Sequence, residues 1–308
     1  VTNKNSSNFN QSEQAFVSVI MNCYNGEKYL REAIDSVLNQ TYKNWEIIFW
    51  DNQSTDKSAE ICKSYKEKRI RYFYAPSHTK LGQGRNLAIE QAKGDWIGFL
   101  DCDDLWFPMK IEKQVVAINN CGPELGLVYS DAAYLIEKEG ATTVWGGKVS
   151  KLGRNVKSRY LPSGNIFSAM LKENLIPLVT ALVRRSAFID VGGVSADFKQ
   201  AEDYELFVKI TRCYEAIAIQ ETTCLYRIHS SNLSHYQFEE SYTEVLTVIR
   251  RYLPQQDAVI GAGIWQSNYA GYLFINGRHK EGIAELISSK NYWFFLKRIF
   301  SRFVQYYT

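Results

Sequence analysis

None of the six cysteines, at positions 23, 62, 102, 121, 213 and 224, belongs to a C-x-x-C pair. The sequence therefore offers neither a zinc ribbon nor a disulfide framework, and reduced thiols in a cytoplasmic protein are the simpler expectation. No apolar run approaches the roughly 20 residues that cross a bilayer, so any membrane contact is expected to be peripheral. Charge of one sign is also scarce. The formal net charge is +3, and no dense Lys/Arg block precedes the C-terminal region, which sets nucleic acid aside as a partner. Residues 1–14 are rich in Asn, Ser and Gln without an apolar stretch, and are read as a flexible tail and not a signal peptide. Internal repeats are absent.

Aromatic residues, by contrast, are plentiful. They make up 14% of the 308 residues, with 20 Tyr and 7 Trp; such rings suit sugar, nucleobase or interfacial contacts, and core packing equally. From Phe16 onward short apolar runs alternate with amphipathic stretches. Strands are expected at Phe16 to Met21, Trp45 to Trp50, Ile70 to Tyr74 and Trp96 to Leu100, each followed by a helix. Four βα units imply an open, mostly parallel sheet flanked by helices, with ligands bound beyond the carboxyl ends of its strands. Polar residues gather at those ends: Asn22 to Asn25, Asp51 to Ser54, and Asp101 to Asp104. A further strand is expected at Leu127 to Ile136, a helix opening at Glu202-Asp203, a strand at Ile217 to Ile228, and helices from residue 237 to the end.

Three segments carry chemistry. In Asp101-Cys102-Asp103-Asp104, residues two apart face the same way in an extended chain, so Asp101 and Asp103 can converge on a cation while Asp104 faces elsewhere. A hard divalent ion held by one or two carboxylates and substrate phosphates suits that arrangement better than a capping turn. The phosphotransfer pattern D-x-D-x-T fails at Leu105. Gly82-Gln83-Gly84-Arg85-Asn86-Leu87 begins like a dinucleotide fingerprint but lacks its third glycine; an anion site with Arg85 and a simple tight turn both stand. Glu202-Asp203 at a helix start fits dipole compensation and fits a general base, and His229 is read as structural residue or ligand alike.

Together these segments resemble the family 2 glycosyltransferases of the GT-A fold, from about Val17 to His229. The resemblance lies in Val17-Ser18-Val19-Ile20-Met21 with Tyr24-Asn25, the helix Glu32 to Tyr42, and Glu46 to Asp56. It continues through Gly82 with Arg85-Asn86, Asp101 to Asp104 with Trp106 and Pro108, Glu202-Asp203, and Tyr226-Arg227-x-His229. It implies an α/β catalytic domain over 15–236, with a nucleotide-binding half at about 15–105, an acceptor half at about 106–236, and a helical extension over 237–308. It implies nucleotide contacts from Tyr24, Asn25, Asp51, Asn52, Gly82, Arg85, Asp101 and Cys102. Asp103 would be the principal ligand of Mn²⁺ or Mg²⁺, supported by Asp101 and His229; Arg227 and His229 would stand near the diphosphate. Asp203, or else Glu202, would be the base of an inverting transfer from a nucleotide-sugar to a glycan or lipid-linked acceptor.

Two departures bear on the donor. Asn22-Cys23 replaces the family's Pro and small residue, and Asn52-Gln53 replaces its Asp-Gly, which leaves UDP as the default with dTDP and GDP open. The segment 290–308 spaces Tyr292, Phe295, Ile299, Phe303 and Tyr307 helically among Lys297, Arg298 and Arg302. It is read as a face for the inner side of the membrane, for the catalytic domain or for a second subunit. A sugar-nucleotide pyrophosphorylase would need a Gly-rich, Arg-bearing loop after the first strand, where this chain has Asn22 to Lys28. A non-catalytic glycan-binding relative would have lost the acids that are present here.

Overall fold

The computed structural model describes residues 14–138, 141–146, 160–230, 232 and 238–289. The segment 290–308 and nearly all of the expected tail lie outside these residues. The alternation expected from the sequence is present: β1 (Val17–Cys23), α1 (Leu30–Leu38), β2 (Trp45–Asp51), α2 (Ser58–Ser64), β3 (Ile70–Tyr74), α3 (Leu81–Glu90) and β4 (Trp96–Phe99). There follow β5 (Leu105–Trp106), α4 (Lys110–Asn119), β6 (Leu125–Lys138), β7 (Ala141–Trp145), α5 (Phe167–Lys172), β8 (Leu182–Arg184), α6 (Arg185–Asp190), α7 (Glu202–Cys213) and β9 (Glu215–Ile228). Helices α8 (Phe238–Arg250), α9 (Gln256–Ile275) and α10 (His279–Ser289) complete the described chain.

The nine strands among the described residues belong to one sheet, ordered β3-β2-β1-β4-β8-β6-β9-β5, with β7 paired to β6. Strands β1 to β4 are parallel, so their carboxyl ends share one edge. Beyond β4 the sheet is mixed: β8 runs antiparallel to β4 and β6, whereas β6 and β9 are parallel. The short β8 lies between β4 and β6, and so joins the parallel half to the half carrying β6 and β9.

Strands β1, β2 and β4 are buried on both faces, which is why they read as nearly continuous apolar runs. Val17, Val19, Met21, Trp45, Ile47 and Phe49 share one core with Leu30, Ile34 and Val37 of α1 and Ile111 and Val115 of α4. On the opposite face Ile20, Ile48 and Trp50 pack with Ala88 and Ile89 of α3, Leu206, Phe207 and Ile210 of α7, and Val245 and Ile249 of α8. Helix α9 crosses α5 so closely that a Cβ at Gly261 would lie 2.3 Å from the Leu171 carbonyl oxygen. No helix among the described residues is long and apolar enough to cross a membrane.

Candidate active site

The loops after β1 and β2 are bound into one unit. Asn25 N donates to Ser54 Oγ at 3.1 Å, Gly26 N to Ser58 Oγ at 2.9 Å, and Thr55 N to Asn25 Oδ1 at 2.8 Å. Asp51, fully buried, accepts from Ser54 N and from the Tyr72 hydroxyl, each at 2.7 Å. Asn52 Oδ1 accepts from Thr79 N at 3.0 Å, and its Nδ2 donates to Thr79 O at 2.8 Å. Asn25, Asp51 and Asn52, expected as nucleotide contacts, thus also hold these loops together. Gln53, where the resemblance expects glycine, adopts a left-handed backbone at φ 68, a conformation that costs a non-glycine residue roughly 1 kcal/mol or more.

Tyr24 is the expected nucleotide residue whose ring stays open, 56% exposed. Its partner is one that sequence reasoning missed. The His78 ring meets Tyr24 edge-on with centroids 4.5 Å apart, and His78 Nδ1 lies 2.9 Å from Asn52 O. A His in the loop after a parallel strand was the available signal.

Gly82 sits in the first turn of α3, where a Cβ would lie 2.8 Å from Val194 Cγ1 and 3.0 Å from Ser195 O. Helical close approach thus accounts for a glycine here. Three residues on, Arg85 is buried and donates to Glu202 Oε1 at 2.6 Å and to Asp101 at 3.2 and 3.3 Å. This guanidinium joins the acidic turn after β4 to the start of α7.

The turn after β4 separates its acids. Asp101 and Asp103 keep side chains 39% and 31% exposed. Asp104 is buried and accepts from Arg227 N at 2.8 Å. Burial raises the Asp103 carboxyl, with the Asp101 charge adding to it and His229 opposing. Asp104 is pushed far above the carboxylate range by burial and then by Asp103 and Asp101. His229 Nε2 lies 3.0 Å from Asp103 Oδ2, and its ring leans on Tyr29 at 4.9 Å. Cys102 turns inward, its Sγ donating to Asn22 O at 3.3 Å.

Among the described residues no cluster of three or more His, Cys, Asp or Glu side chains is arranged to hold a metal. The expected trio of Asp101, Asp103 and His229 is divided, since Asp101 faces Arg85 while Asp103 faces His229. Two part-exposed neighbouring carboxylates still fit a hard divalent ion, which needs one or two protein carboxylates and takes its remaining ligands from phosphates and water.

Arg227 does not lie open to a diphosphate. It is 3% exposed, with Nε donating to Asp103 O at 2.7 Å, Nη2 to Glu32 at 2.8 Å and Nη1 to Glu137 at 2.5 Å. Its guanidinium also covers the Tyr29 ring at 4.4 Å. Glu32 and Glu137 were missed because nothing near them in sequence marks them as partners of Arg227.

At the start of α7 burial raises Glu202, opposed by Arg85, and its Oε2 is buried without a hydrogen bond. Asp203 is pushed up to about 7 by burial and then by the Glu202 charge, against the pull of Arg85. Its Oδ1 accepts from Tyr204 N at 2.6 Å.

This arrangement has parallels in known proteins. An uncharacterized glycosyltransferase of Rickettsia typhi is 32% identical over 250 residues, spanning 80% of this chain and 75% of its own. Another, of Methanocaldococcus jannaschii, is 30% identical over 223 residues, spanning 71% and 72%. Among solved structures, S. aureus TarS 1-349 in complex with UDP-GlcNAc superimposes with a TM-score of 0.62 at 18% identity, over 89% of this chain and 79% of that one. The mannosyltransferase PcManGT from Pyrobaculum calidifontis, in complex with GDP-Man and Mn²⁺, does so with a TM-score of 0.59 at 17% identity, over 92% and 88%. These likenesses identify the GT-A fold. The sequence model described as glycosyl transferase family 2 matches residues 18–192, and with the acidic turn and the α7 carboxylates in place the chain belongs to that family.

Proposed function

We propose that this glycosyltransferase is metal-dependent and inverting, and that it moves a sugar from a nucleoside-diphosphate sugar, UDP-sugar favoured, to a hydroxyl of a glycan or lipid-linked acceptor in cell-surface glycan assembly. The observation that carries this reading is the bridge from Asp101 through Arg85 to Glu202. It brings the acidic turn of the donor side and the carboxylates of α7 to one guanidinium, so that a base and a leaving diphosphate can act on the same sugar. TarS was solved with UDP-GlcNAc and PcManGT with GDP-Man and Mn²⁺, which supports a nucleotide-sugar donor and a divalent ion.

In this reading Tyr24 and His78 flank the nucleobase, and Asp103 with Asp101 holds Mn²⁺ or Mg²⁺. When bound, the ion neutralises the diphosphate charge that grows as the glycosidic bond breaks. Asp203 is the base. Its carboxyl, raised to about 7, is matched to accepting a proton from an acceptor hydroxyl near neutral pH. Glu202 is less suited, because its paired oxygen is engaged by Arg85. Attack from the Asp203 side, opposite the departing diphosphate, inverts the anomeric centre. Arg227 acts through others: its Nε on Asp103 O and its backbone N on Asp104 fix the acidic turn. The donor half is assigned to about 15–105 and the acceptor half to about 106–236.

A thermal-shift panel of UDP, GDP and dTDP, each with and without Mn²⁺, tests the reading, since a ligand of the folded state raises the midpoint. A Mn²⁺-dependent rise with UDP is expected; no rise with any nucleotide contradicts it.

A further inference from the structure

Cys23 closes β1, and Cys102 lies in the acidic turn after β4. The two strands are parallel neighbours, with Val17 opposite Trp96 and Ile20 opposite Phe99; continued, that register sets Cys23 opposite Cys102. The chain keeps this pairing beyond the end of β4: Leu100 N donates to Ile20 O at 3.0 Å, and Cys102 Sγ to Asn22 O at 3.3 Å. Both thiols are free and buried. Both border Gly26, where a Cβ would lie 3.1 Å from Cys23 Sγ and 3.6 Å from Cys102 Sγ. Adjacent strands run ~4.8 Å apart, within the roughly 4.4–6.8 Å between Cα atoms that a disulfide spans.

We propose that Cys23 and Cys102 form an oxidation site, at which a hydroperoxide converts the thiol pair to a disulfide that disables the donor side. One sulfur attacks a peroxide oxygen, breaking the O–O bond and giving a sulfenic acid and water. The second thiol then displaces hydroxide from that sulfur, which leaves as a second water once it takes the thiol proton. Two thiols lose two electrons and one hydrogen peroxide gains them. The S–S bond, at about 2.05 Å, is shorter than the ~3.5–4.0 Å of a non-bonded contact between heavy atoms. Closing it pulls the turn toward β1, and Asp101 and Asp103 flank the residue that moves. Peroxide is close to water in size, and Asp101 and Asp103, on either side of Cys102, are 39% and 31% exposed. The functional consequence rests on the donor reading above; the cross-link does not.

The reduced 308-residue chain is treated with hydrogen peroxide, its remaining thiols are blocked, and the digest is analysed by mass spectrometry. UDP affinity with Mn²⁺ is measured before oxidation, after it, and after dithiothreitol. A Cys23–Cys102 linked peptide is expected, with affinity weakened about tenfold or more and restored by the reductant. Cys23→Ala removes both the link and the peroxide sensitivity. A Cys23–Cys62 link in its place, or a Cys23–Cys102 link that leaves affinity unchanged, overturns the proposal. Failure of the reduced protein to bind UDP counts against the donor reading, while the linked peptide still decides whether the oxidation site exists.

Discussion

Arg85 and Glu202 form an ion pair of 2.6 Å with both side chains almost wholly buried, at 4% and 6% exposure. A buried charge whose partner is removed is strongly destabilising, whereas replacing both partners is far milder. Arg85→Met is therefore expected to lower the denaturant midpoint by an amount corresponding to about 3–5 kcal/mol. Arg85→Met combined with Glu202→Leu should recover most of that loss in equilibrium unfolding. A double variant no more stable than the single one would show that the pair is not coupled.

Removing the proposed base separates chemistry from binding. Asp203→Asn is expected to slow transfer about 10²- to 10⁴-fold while UDP affinity stays near that of the unmodified protein. A base must be ionised to accept a proton, so kcat/KM should fall as pH drops below about 7 and level off above it. The same raised pKa makes the ionised Asp203 a cost to folding at neutral pH, and the neutral amide should raise the unfolding midpoint there. An acid limb near pH 4 would contradict the burial of this carboxyl.

Lys110 is wholly buried, its Nζ donating to Gln114 Oε1 at 2.7 Å and lying 3.9 Å from the Trp106 ring centre. Burial lowers it from 10.5 to about 8. Because the folded value lies below the unfolded one, the penalty is full below pH 8 and disappears as pH rises toward 10.5. Its contribution to stability should therefore increase over that window by about 3 kcal/mol. Lys110→Met should abolish this component, read as the difference between the unfolding free energies of the two proteins from pH 7 to 10. Parallel curves would show that Lys110 titrates normally.

The parallel half of the fold was legible because Val17 to Met21, Trp45 to Trp50 and Trp96 to Phe99 are buried on both faces, and burial leaves a continuous apolar record. The ends of those strands correctly marked where polar residues converge. What local sequence could not disclose was which of those residues were already engaged. Asn52 is bound to Thr79, Asp51 to Tyr72, and Arg227 to Glu32 and Glu137, partners between 21 and 195 positions away. A residue type and its spacing suggest the chemistry a side chain can perform; its tertiary partners decide whether the side chain remains available to a ligand.

Asn52→Ala follows from that distinction. Losing all three side-chain hydrogen bonds to Thr79 should free the loop that carries His78, weakening binding of UDP and GDP to a similar extent in a fluorescence titration. A change confined to one base would instead assign Asn52 a direct contact.

The acidic turn is best tested by calorimetric titration of UDP into the unmodified protein and into Asp103→Ala, each with and without Mn²⁺. The site described here predicts that Mn²⁺ strengthens UDP binding to the unmodified protein, and that Asp103→Ala, still folded by circular dichroism, loses that enhancement. Equal Mn²⁺ enhancement in both proteins would contradict the assignment of the metal to this turn.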